Sequence, residues 1–435
     1  MNIRHLSIPT LLIVPGIAIA QPRGDEPTVP YTVARGDTLV AIAARGLKMP
    51  GDYRIVQRQN RIADPRRIRT GTVLRIPRRL LRIEPVNARV IAVRGRASVN
   101  SRPAQINMDI ARGAMIQTGP VSFVTAQLAD GSMLTVPSDS RFRVIALDRI
   151  VLTGAVEKLF DLSNGRIEAQ VRPLNGRSDR FEVQTPVSTA AVRGTRFRVT
   201  YSPDTGVAGA GVVEGHVAVA SGAEAALLDA GKGVTVDQRQ LGTPAALLPG
   251  PGLRNSDAIQ DGPLVALDID PVADAARYRA QIATDAGFID IISEAEAAAP
   301  QISIADIADG SYFVRLTALQ NGGLEGLPAV FTLERRRGDI DASVDTASQC
   351  PAQRCLQFRW LAQGEGKRSF RFQLRPGRDA TPVIDEDNLT AQELVVTDLP
   401  AGTYYWRVEN RGEADGKTFS RWSDYQELHV TRPGK

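Results

Sequence analysis

Residues 31–46 read YTVARGDTLVAIAARG, and residues 60–77 read NRIADPRRIRTGTVLRIP. In the first segment a short strand leads to Gly36, which can adopt the positive φ of a sharp turn. Asp37 is placed to cap the next helix, in which apolar residues recur at spacings of three and four. This half of the stretch therefore predicts a strand and a helix joined by a tight turn.

The second half of the stretch predicts another helix and another strand. Ile55 and Val56 supply apolar contacts for a helix over residues 53–59, and Asn60 tolerates the left-handed conformation that ends helices. A last short strand stops at Pro77, because proline lacks the N–H that a strand ladder needs. The whole stretch predicts a compact βααβ module.

The spacing of these motifs resembles that of the LysM family over residues 31–77. The resemblance implies a module that binds glycans containing N-acetylglucosamine, usually peptidoglycan or chitin, in a shallow groove between two loops. Backbone amides of the loops would bind the acetamido carbonyl, and Leu39 or Ile62 would contact its methyl group. Carried onto this chain, the groove is expected to be lined by Gly36, Asp37, Thr38, Leu39, Asn60, Arg61 and Ile62.

Two of these glycan-binding candidates also have a structural interpretation. Helix capping and turn formation alone explain Asp37 and Asn60, so a ligand contact and a structural role stay open as alternatives for both. The segment 46–52 departs from the family pattern by lengthening the turn between the helices. We expect this longer turn to reshape the edge of the groove.

Residues 1–20 have the features of a secretory signal peptide. Arg4 and His5 precede an apolar stretch that ends in the small-x-small cleavage site Ala18-Ile19-Ala20, which predicts a mature chain beginning at Gln21. An uncleaved anchor is the weaker alternative, because a membrane span needs roughly 18 or more apolar residues. No other segment is predicted to cross a membrane, so we expect a periplasmic or, alternatively, an extracellular protein.

The chain contains two cysteines, Cys350 and Cys355, which are predicted to form a disulfide in an oxidising compartment. Two thiols without a nearby histidine provide only half of a zinc site. The four residues between them differ from the two that separate the cysteines of a redox motif. No metal and no cofactor are therefore expected.

Basic charge is concentrated near the end of the βααβ module, although the formal net charge of the whole chain is only +5. In an exported protein such a cluster would face anionic wall polymers or lipopolysaccharide, or it would form a solvated face. Export argues against nucleic acid as the partner. The cluster consists of Arg66, Arg67, Arg69, Arg75, Arg78, Arg79 and Arg82.

Residues 83–240 predict almost pure β structure, with short alternating runs separated by turns. Residues 181–199, FEVQTPVSTAAVRGTRFRV, and a strand at 207–217 resemble the FecR-type domain. The resemblance implies a periplasmic β-rich domain, solenoid-like or a sandwich, of a kind best known from sensors that signal to an anti-sigma segment. Because we expect a signal peptide and no cytosolic segment, direct regulation of a sigma factor is not expected here.

Arg193-Gly194-Thr195 lies at the centre of the FecR-like motif. Gly194 is predicted to permit a bend or a close approach of two backbones, and Arg193 to pair with Glu182 or Glu214. A structural role is favoured over a ligand contact, because residues within alternating strands usually set register and packing.

A weak internal repeat marks the C-terminal part of the chain. Residues 309–316, DGSYFVRL, match residues 401–408, AGTYYWRV, and each copy precedes a Gly-rich turn and a last strand. The repeats resemble fibronectin type III domains, which implies two β-sandwiches that act as spacers or protein-binding surfaces. The tryptophans of the second sandwich are expected to be core or edge residues: Trp360, Trp406 and Trp422.

The predicted fold class is therefore a multidomain, mainly β protein, since 435 residues are enough for several separate cores. Pro/Gly-rich and charged stretches mark the linkers. The expected order is the signal peptide at 1–20, the LysM-like module at 31–77, the FecR-like domain at 83–240, a linker at 241–262, a sandwich at 263–334, a linker at 335–349 and a sandwich at 350–432.

Catalytic residues are not predicted, because the three histidines (His5, His216 and His429) are scattered and no metalloprotease, serine-hydrolase or phosphate-loop motif occurs. We expect a non-catalytic envelope protein that binds peptidoglycan and acts as a sensor or scaffold for an unidentified envelope or membrane protein. Two alternatives stay open. One is a hydrolase targeted to peptidoglycan, and the other is a periplasmic signalling input that binds a membrane sensor.

Overall fold

The computed structural model describes residues 27–173, 179–238, 240–256, 259–346, 355–363, 366–414 and 417–431. The predicted signal peptide and its cleavage site after Ala20 lie outside these residues. Cys350 also lies outside them, so its disulfide with Cys355 stays a prediction. The described chain is mainly β, as expected, and forms two compact units: residues 27–120 with 124–247, and residues 121–123 with 248–431.

The N-terminal module has the βααβ order that the sequence predicts. Its two strands pair antiparallel, with Tyr31 opposite Leu74. The helices bury Leu39, Ile42 and Val56 against these strands in one apolar cluster. The module consists of β1 (Thr28–Thr32), α1 (Leu39–Gly46), a 3-10 turn (Pro50–Asp52), α2 (Tyr53–Gln59), β2 (Val73–Pro77) and a second 3-10 turn (Arg78–Leu80).

The middle domain follows the module and is built from strands that pair into one closed sheet system. Alternating residues point into a core in which the rings of Phe142, Phe160, Phe181 and Phe197 contact one another in series, with centroids 5.2, 5.2 and 6.0 Å apart; the first pair is stacked, the second tilted and the third edge-to-face. The strands are β3 (Ile83–Pro85), β4 (Ala88–Arg94), β5 (Ala97–Val99), β6 (Arg102–Pro103), β7 (Asp109–Ile110), β8 (Met115–Thr118), β9 (Phe123–Leu128), β10 (Met133–Val136), β11 (Arg141–Ile150), β12 (Val156–Gln170), β13 (Arg180–Gln184), β14 (Thr189–Val192), β15 (Arg196–Ser202), β16 (Val207–Glu214), β17 (His216–Ser221), β18 (Glu224–Asp229), β19 (Lys232–Asp237), β20 (Gln240–Leu241) and β21 (Ala245–Ala246).

The N-terminal module packs directly on the middle domain. Leu80 at the end of the module and Leu81, which follows it, share an apolar cluster with Ile150 and Ala155. The chain then enters β3, which pairs antiparallel with the end of β11. The Arg82 amide also donates to the backbone oxygen of Gly46 at 2.8 Å. Backbone ladder, apolar contacts and hydrogen bonds therefore fix the module to the domain.

The first sandwich has a two-stranded and a four-stranded sheet, in the orders β22-β25 and β24-β23-β26-β27. Near the start of β26, the Tyr312 hydroxyl donates to the backbone oxygen of Ala308 at 3.1 Å, as in the tyrosine corner of immunoglobulin-like sandwiches. The strands are β22 (Val265–Asp268), β23 (Arg277–Ala283), β24 (Ile291–Ala297), β25 (Gln301–Ile304), β26 (Gly310–Leu319) and β27 (Ala329–Arg335).

The second sandwich repeats this plan, with the sheets β28-β29-β32 and β31-β30-β33-β34, and with β35 also paired to β33. Tyr404 occupies the corner position and donates to the Pro400 oxygen at 3.1 Å. Trp360 and Trp406 lie in the core and Trp422 is half-buried. The strands are β28 (Ile340–Thr346), β29 (Cys355–Ala362), β30 (Lys367–Arg375), β31 (Ile384–Leu389), β32 (Glu393–Thr397), β33 (Gly402–Ala414), β34 (Lys417–Trp422) and β35 (Gln426–Val430).

Both predicted linkers contain ordered structure. Within 335–349, β28 pairs with β29 along its whole length, because alternate residues Ile340, Ala342 and Val344 pack on the core of the second sandwich. Within 241–262 the described residues include β21 and a bridge between Gln260 and Arg335. The Pro/Gly-rich and charged composition of these segments predicts linkers. In the structure, part of each segment belongs to a folded domain, and in β28 alternate apolar residues pack on the core.

Candidate functional site

The first loop of the N-terminal module is built around a buried carboxylate. Asp37 accepts hydrogen bonds from the Tyr31 hydroxyl (2.6 Å), the Ala34 amide (2.8 Å) and the Arg45 guanidinium (3.0 Å). Gly36 in the same loop has a φ of +87°, which glycine adopts without steric cost. The side chain of Asp37 is 5% exposed, so it closes the loop from within.

These contacts also determine the ionisation of Asp37. Burial acts to raise the pKa of the carboxyl, but the hydrogen bonds from Tyr31, Ala34 and Arg45 outweigh it and lower the pKa below its ordinary value of 3.8. Burial and the bond to Asp37 raise the pKa of the Tyr31 hydroxyl. Asp37 is therefore a fixed anion at neutral pH, which is unsuited to general-acid chemistry.

The cap of α1 differs from the prediction. Thr38 is the N-cap residue, with an extended backbone and an Oγ1 that accepts the Ala41 amide at 3.1 Å. Asp37 does not cap the helix, because its oxygens are turned back towards Ala34 and Tyr31. The predicted cap was wrong by one residue.

Asn60 joins the end of α2 to β2. Its Nδ2 donates to the backbone oxygens of Val56 (2.8 Å) and Arg75 (3.0 Å), and its Oδ1 accepts the Arg75 amide (2.7 Å). The left-handed residue is Arg61, with a φ of +53°, whereas Asn60 has a φ of −95°. The predicted conformation of Asn60 is therefore wrong, and its amide is engaged within the module.

The apolar candidates differ in exposure. Leu39 is only 1% exposed, whereas Ile62 is half-buried against the same core. The Leu39 amide already donates to the Pro65 oxygen at 2.9 Å. In this structure the Leu39 side chain is therefore out of reach of an acetamido methyl group.

An open surface depression of about 550 Å³ lies beside the first loop. It joins three of the expected residues to a segment that the sequence interpretation did not place in the groove, whereas Asn60, Arg61 and Ile62 do not line it. The arginines of that segment were visible in the sequence only as a basic cluster. The depression is lined by Gly36, Asp37, Thr38, Arg66, Arg67, Ile68 and Arg69.

The depression offers hydrogen-bond donors to a ligand. Within the described part of the chain, the backbone N–H groups of Gly36 and Thr38 have no hydrogen-bond partner. Such donors suit a carbonyl oxygen, and the half-buried side chain of Ile68 provides an apolar contact nearby. The arrangement can bind a small group that combines a carbonyl with a methyl.

In the middle domain, the Arg193-Gly194-Thr195 motif forms the bend between β14 and β15. Gly194 has a φ of +75°, and a Cβ at this position would lie 2.8 Å from the Cα of Pro173. The close backbone approach expected at Gly194 is therefore present. Glu182, one of the partners predicted for Arg193, forms an ion pair with Arg180 at 2.7 Å.

Two family models match this chain, one in the N-terminal module and one in the middle domain. The model of the LysM domain matches residues 31–77. The model described as FecR protein matches residues 114–218. The chain therefore contains a LysM domain within the N-terminal module and a FecR region within the middle domain. No curated protein matches the chain.

Solved structures show partial likenesses. A candidate anti-sigma factor from Parabacteroides distasonis, solved at 2.50 Å, is 17% identical, with a TM-score of 0.25, over 30% of this chain. This chain spans only 57% of that protein's length. A segment of two fibronectin type III domains from chicken tenascin is 14% identical, with a TM-score of 0.22, over 42% of this chain and 99% of the segment.

In the part of the chain that the structure describes, no helix combines the length and apolar character needed to cross a membrane. The same residues contain no group of three or more His, Cys, Asp or Glu side chains arranged to hold a metal ion.

Proposed function

We propose that this protein is a non-catalytic component of a bacterial cell envelope that binds peptidoglycan through its LysM domain. The observation that carries the proposal is the depression beside the first loop, in which the N–H groups of Gly36 and Thr38 lack partners. An acetamido carbonyl accepts from these donors, and its methyl group contacts Ile68.

The remaining sequence-predicted residues take supporting or outer positions in this proposal. Asp37 and Asn60 hold the loops through their internal hydrogen bonds. Arg61 and Ile62 contact a longer glycan whose chain extends beyond the depression and past α2. Leu39 anchors α1 in the core and contributes no side-chain contact to the sugar.

We propose a second role, in protein binding, for the FecR region and the two sandwiches. We place the protein in the periplasm, where the FecR region and the sandwiches present surfaces to an envelope or membrane protein. Because the LysM domain packs on the middle domain through a shared apolar cluster, a bound glycan and the FecR region would move as one body. This favours a sensor or scaffold.

Hydrolysis of the glycan is not part of the proposal. Glycosidases generally use two carboxyl groups, one of which is protonated before it acts. Asp37 is the single carboxylate among the residues that line the depression, and its lowered pKa keeps it ionised. The LysM site therefore lacks the acid that bond cleavage requires.

Sedimentation with purified sacculi tests the proposal on the full chain. We expect the protein to pellet with the sacculi, and soluble N-acetylglucosamine tetramer to release it. Cellotetraose is the matched control, because it has the same linkage without acetamido groups. Protein that stays in the supernatant, or equal release by both sugars, would overturn the proposed binding. Muropeptides released from labelled sacculi would overturn the non-catalytic part.

A further inference from the structure

Formal charge is distributed very unevenly along this chain. Residues 28–82 contain thirteen Lys and Arg side chains against three Asp and no Glu, a formal charge of +10. The whole chain carries +5, so all the other residues together carry −5. The N-terminal module, which contains the depression, is therefore strongly basic, whereas the rest of the chain is acidic.

Part of this charge lies at the depression itself. Arg66, Arg67 and Arg69 line it and are exposed. In the described ranges none of these three guanidinium groups has an ion-pair partner, whereas Arg45 pairs with Asp37 and Arg78 with Glu157. Arg45 and Arg78 are thus held in ion pairs within the protein, whereas the three arginines at the depression are available to a ligand.

The turn before these arginines directs them to the depression. The Asp64 carboxylate accepts the Arg66 amide at 2.9 Å, and the Asp64 oxygen accepts the Arg67 amide at 3.2 Å. The Pro65 oxygen in the same turn accepts the Leu39 amide at 2.9 Å, which holds the turn against the start of α1. The arginines and the donors of Gly36 and Thr38 consequently share one rim.

We infer that the depression recognises an acidic glycan. The N–H groups of Gly36 and Thr38 take a neutral acetamido group, and Arg66, Arg67 and Arg69 bind carboxylates carried by substituents of the same strand. Guanidinium groups favour carboxylates because they can donate two parallel hydrogen bonds. This inference rests on the proposed function and narrows its ligand to peptide-substituted peptidoglycan, since chitin carries no carboxylates.

Isothermal titration of the full chain with soluble peptidoglycan strands tests the inference. The comparison ligand is the same preparation after its carboxylates are converted to methylamides. Loss of charge-assisted hydrogen bonds is expected to weaken binding about tenfold. The triple variant Arg66→Gln, Arg67→Gln, Arg69→Gln should bind both preparations with the same Kd. A control with the same charge loss, Lys48→Gln, Arg54→Gln, Arg58→Gln, should keep the difference.

The outcomes separate the inference from the proposed function. If wild type binds both preparations equally, the acidic preference is overturned and glycan binding stands. If it binds neither, both fail. If both triple variants lose the preference equally, net charge rather than the rim is responsible, which also overturns the assignment. The protein could also bind lipopolysaccharide more tightly than the peptidoglycan strands, through the same three arginines. That result would overturn the assignment of a carboxylate ligand and indicate phosphate instead. Circular dichroism checks that each variant is folded.

Discussion

Arg78 and Glu157 lie 79 residues apart in the sequence and form an ion pair with an Nε–Oε2 distance of 2.5 Å. A second nitrogen of Arg78 reaches Asp148 at 3.1 Å. The side chains of Glu157 and Asp148 are 2% and 3% exposed, so both carboxylates have lost their hydration. One arginine from the end of the N-terminal module thus supports two buried anions of the middle domain.

Replacing Arg78 by alanine should destabilise the protein. The change leaves Glu157 and Asp148 with fewer counter-charges in a buried setting, at a cost of roughly 3 kcal/mol in the free energy of unfolding. Urea denaturation followed by hydrogen exchange of the middle-domain amides measures this difference, since the three tryptophans all lie in the second sandwich and would not report on it. Arg75→Ala is the control: within the described residues this exposed side chain forms no ion pair, and its loss should cost less than about 0.5 kcal/mol. Equal losses would contradict the assigned role of Arg78.

Gly46 should not tolerate a side chain. A Cβ at this position would lie 2.8 Å from the Cδ1 of Leu152, in the contact between α1 and the middle domain. Gly46→Ala is expected to lower the free energy of unfolding by about 1 to 3 kcal/mol through overpacking. Leu152→Gly in the same chain removes the Cβ, Cγ and Cδ1 that the new methyl group would meet, so it should recover part of that loss, which a double-mutant cycle detects. Gly51→Ala, with open space around it, should be nearly neutral.

Asp37 should make stability depend on pH at the acidic end. Its pKa is lowered in the folded protein, so its contribution is complete well above the ordinary value of 3.8. The contribution is lost as the pH falls through the lower folded-state pKa. Urea midpoints between pH 7 and pH 2.5 should therefore fall less steeply for Asp37→Asn than for wild type. Tyr31→Phe, which removes one of the hydrogen bonds, should give an intermediate slope, and identical slopes would contradict this account.

Asn60→Ala should weaken the fold rather than only the ligand site. The change removes three hydrogen bonds and leaves the Arg75 amide without its side-chain partner, at a cost of about 1 to 3 kcal/mol. Thermal unfolding checks this, with the exposed neighbour Gln59→Ala as the control. A stable Asn60→Ala protein that no longer binds sacculi would instead indicate a direct ligand contact.

The corner hydroxyl of the second sandwich allows a closely matched comparison. Tyr404→Phe removes the hydrogen bond to the Pro400 oxygen and should cost about 1 kcal/mol. Tyr405→Phe removes the hydroxyl of the next residue, whose ring is half-buried and contacts Arg378. This second change should be close to neutral. Similar effects of both would show that the corner bond contributes little.

Local patterns were enough to predict the LysM domain and the mainly β character of the chain. The bounds of α2 at Tyr53–Gln59 agree with the prediction, because apolar spacing and the following turn residues act within a few positions. The exact cap was not predictable in the same way. Asp37 and Thr38 are both good cap residues, and only the contact with Tyr31 and Ala34 decides between them.

The rim of the depression depends on contacts that the sequence does not reveal. Arg66, Arg67 and Arg69 looked like part of a solvated basic face, because nothing in their spacing indicates that the Pro65 turn docks on α1. The prediction of a linker at 335–349 is wrong around Ile340 for a related reason. Charged neighbours dominate its composition, whereas its pairing with β29 depends on a strand further along the chain.

The passage from the LysM domain into β3 has a mechanical consequence. Leu81 is bridged to Leu47, and the Arg82 backbone bonds with both Gly46 and Val151. The N-terminal module is therefore bonded directly to the sheet that contains β11. A force applied through a bound glycan would be transmitted as tension to β3 and β11, because in the described chain there is no flexible linker between the module and these strands that would extend first.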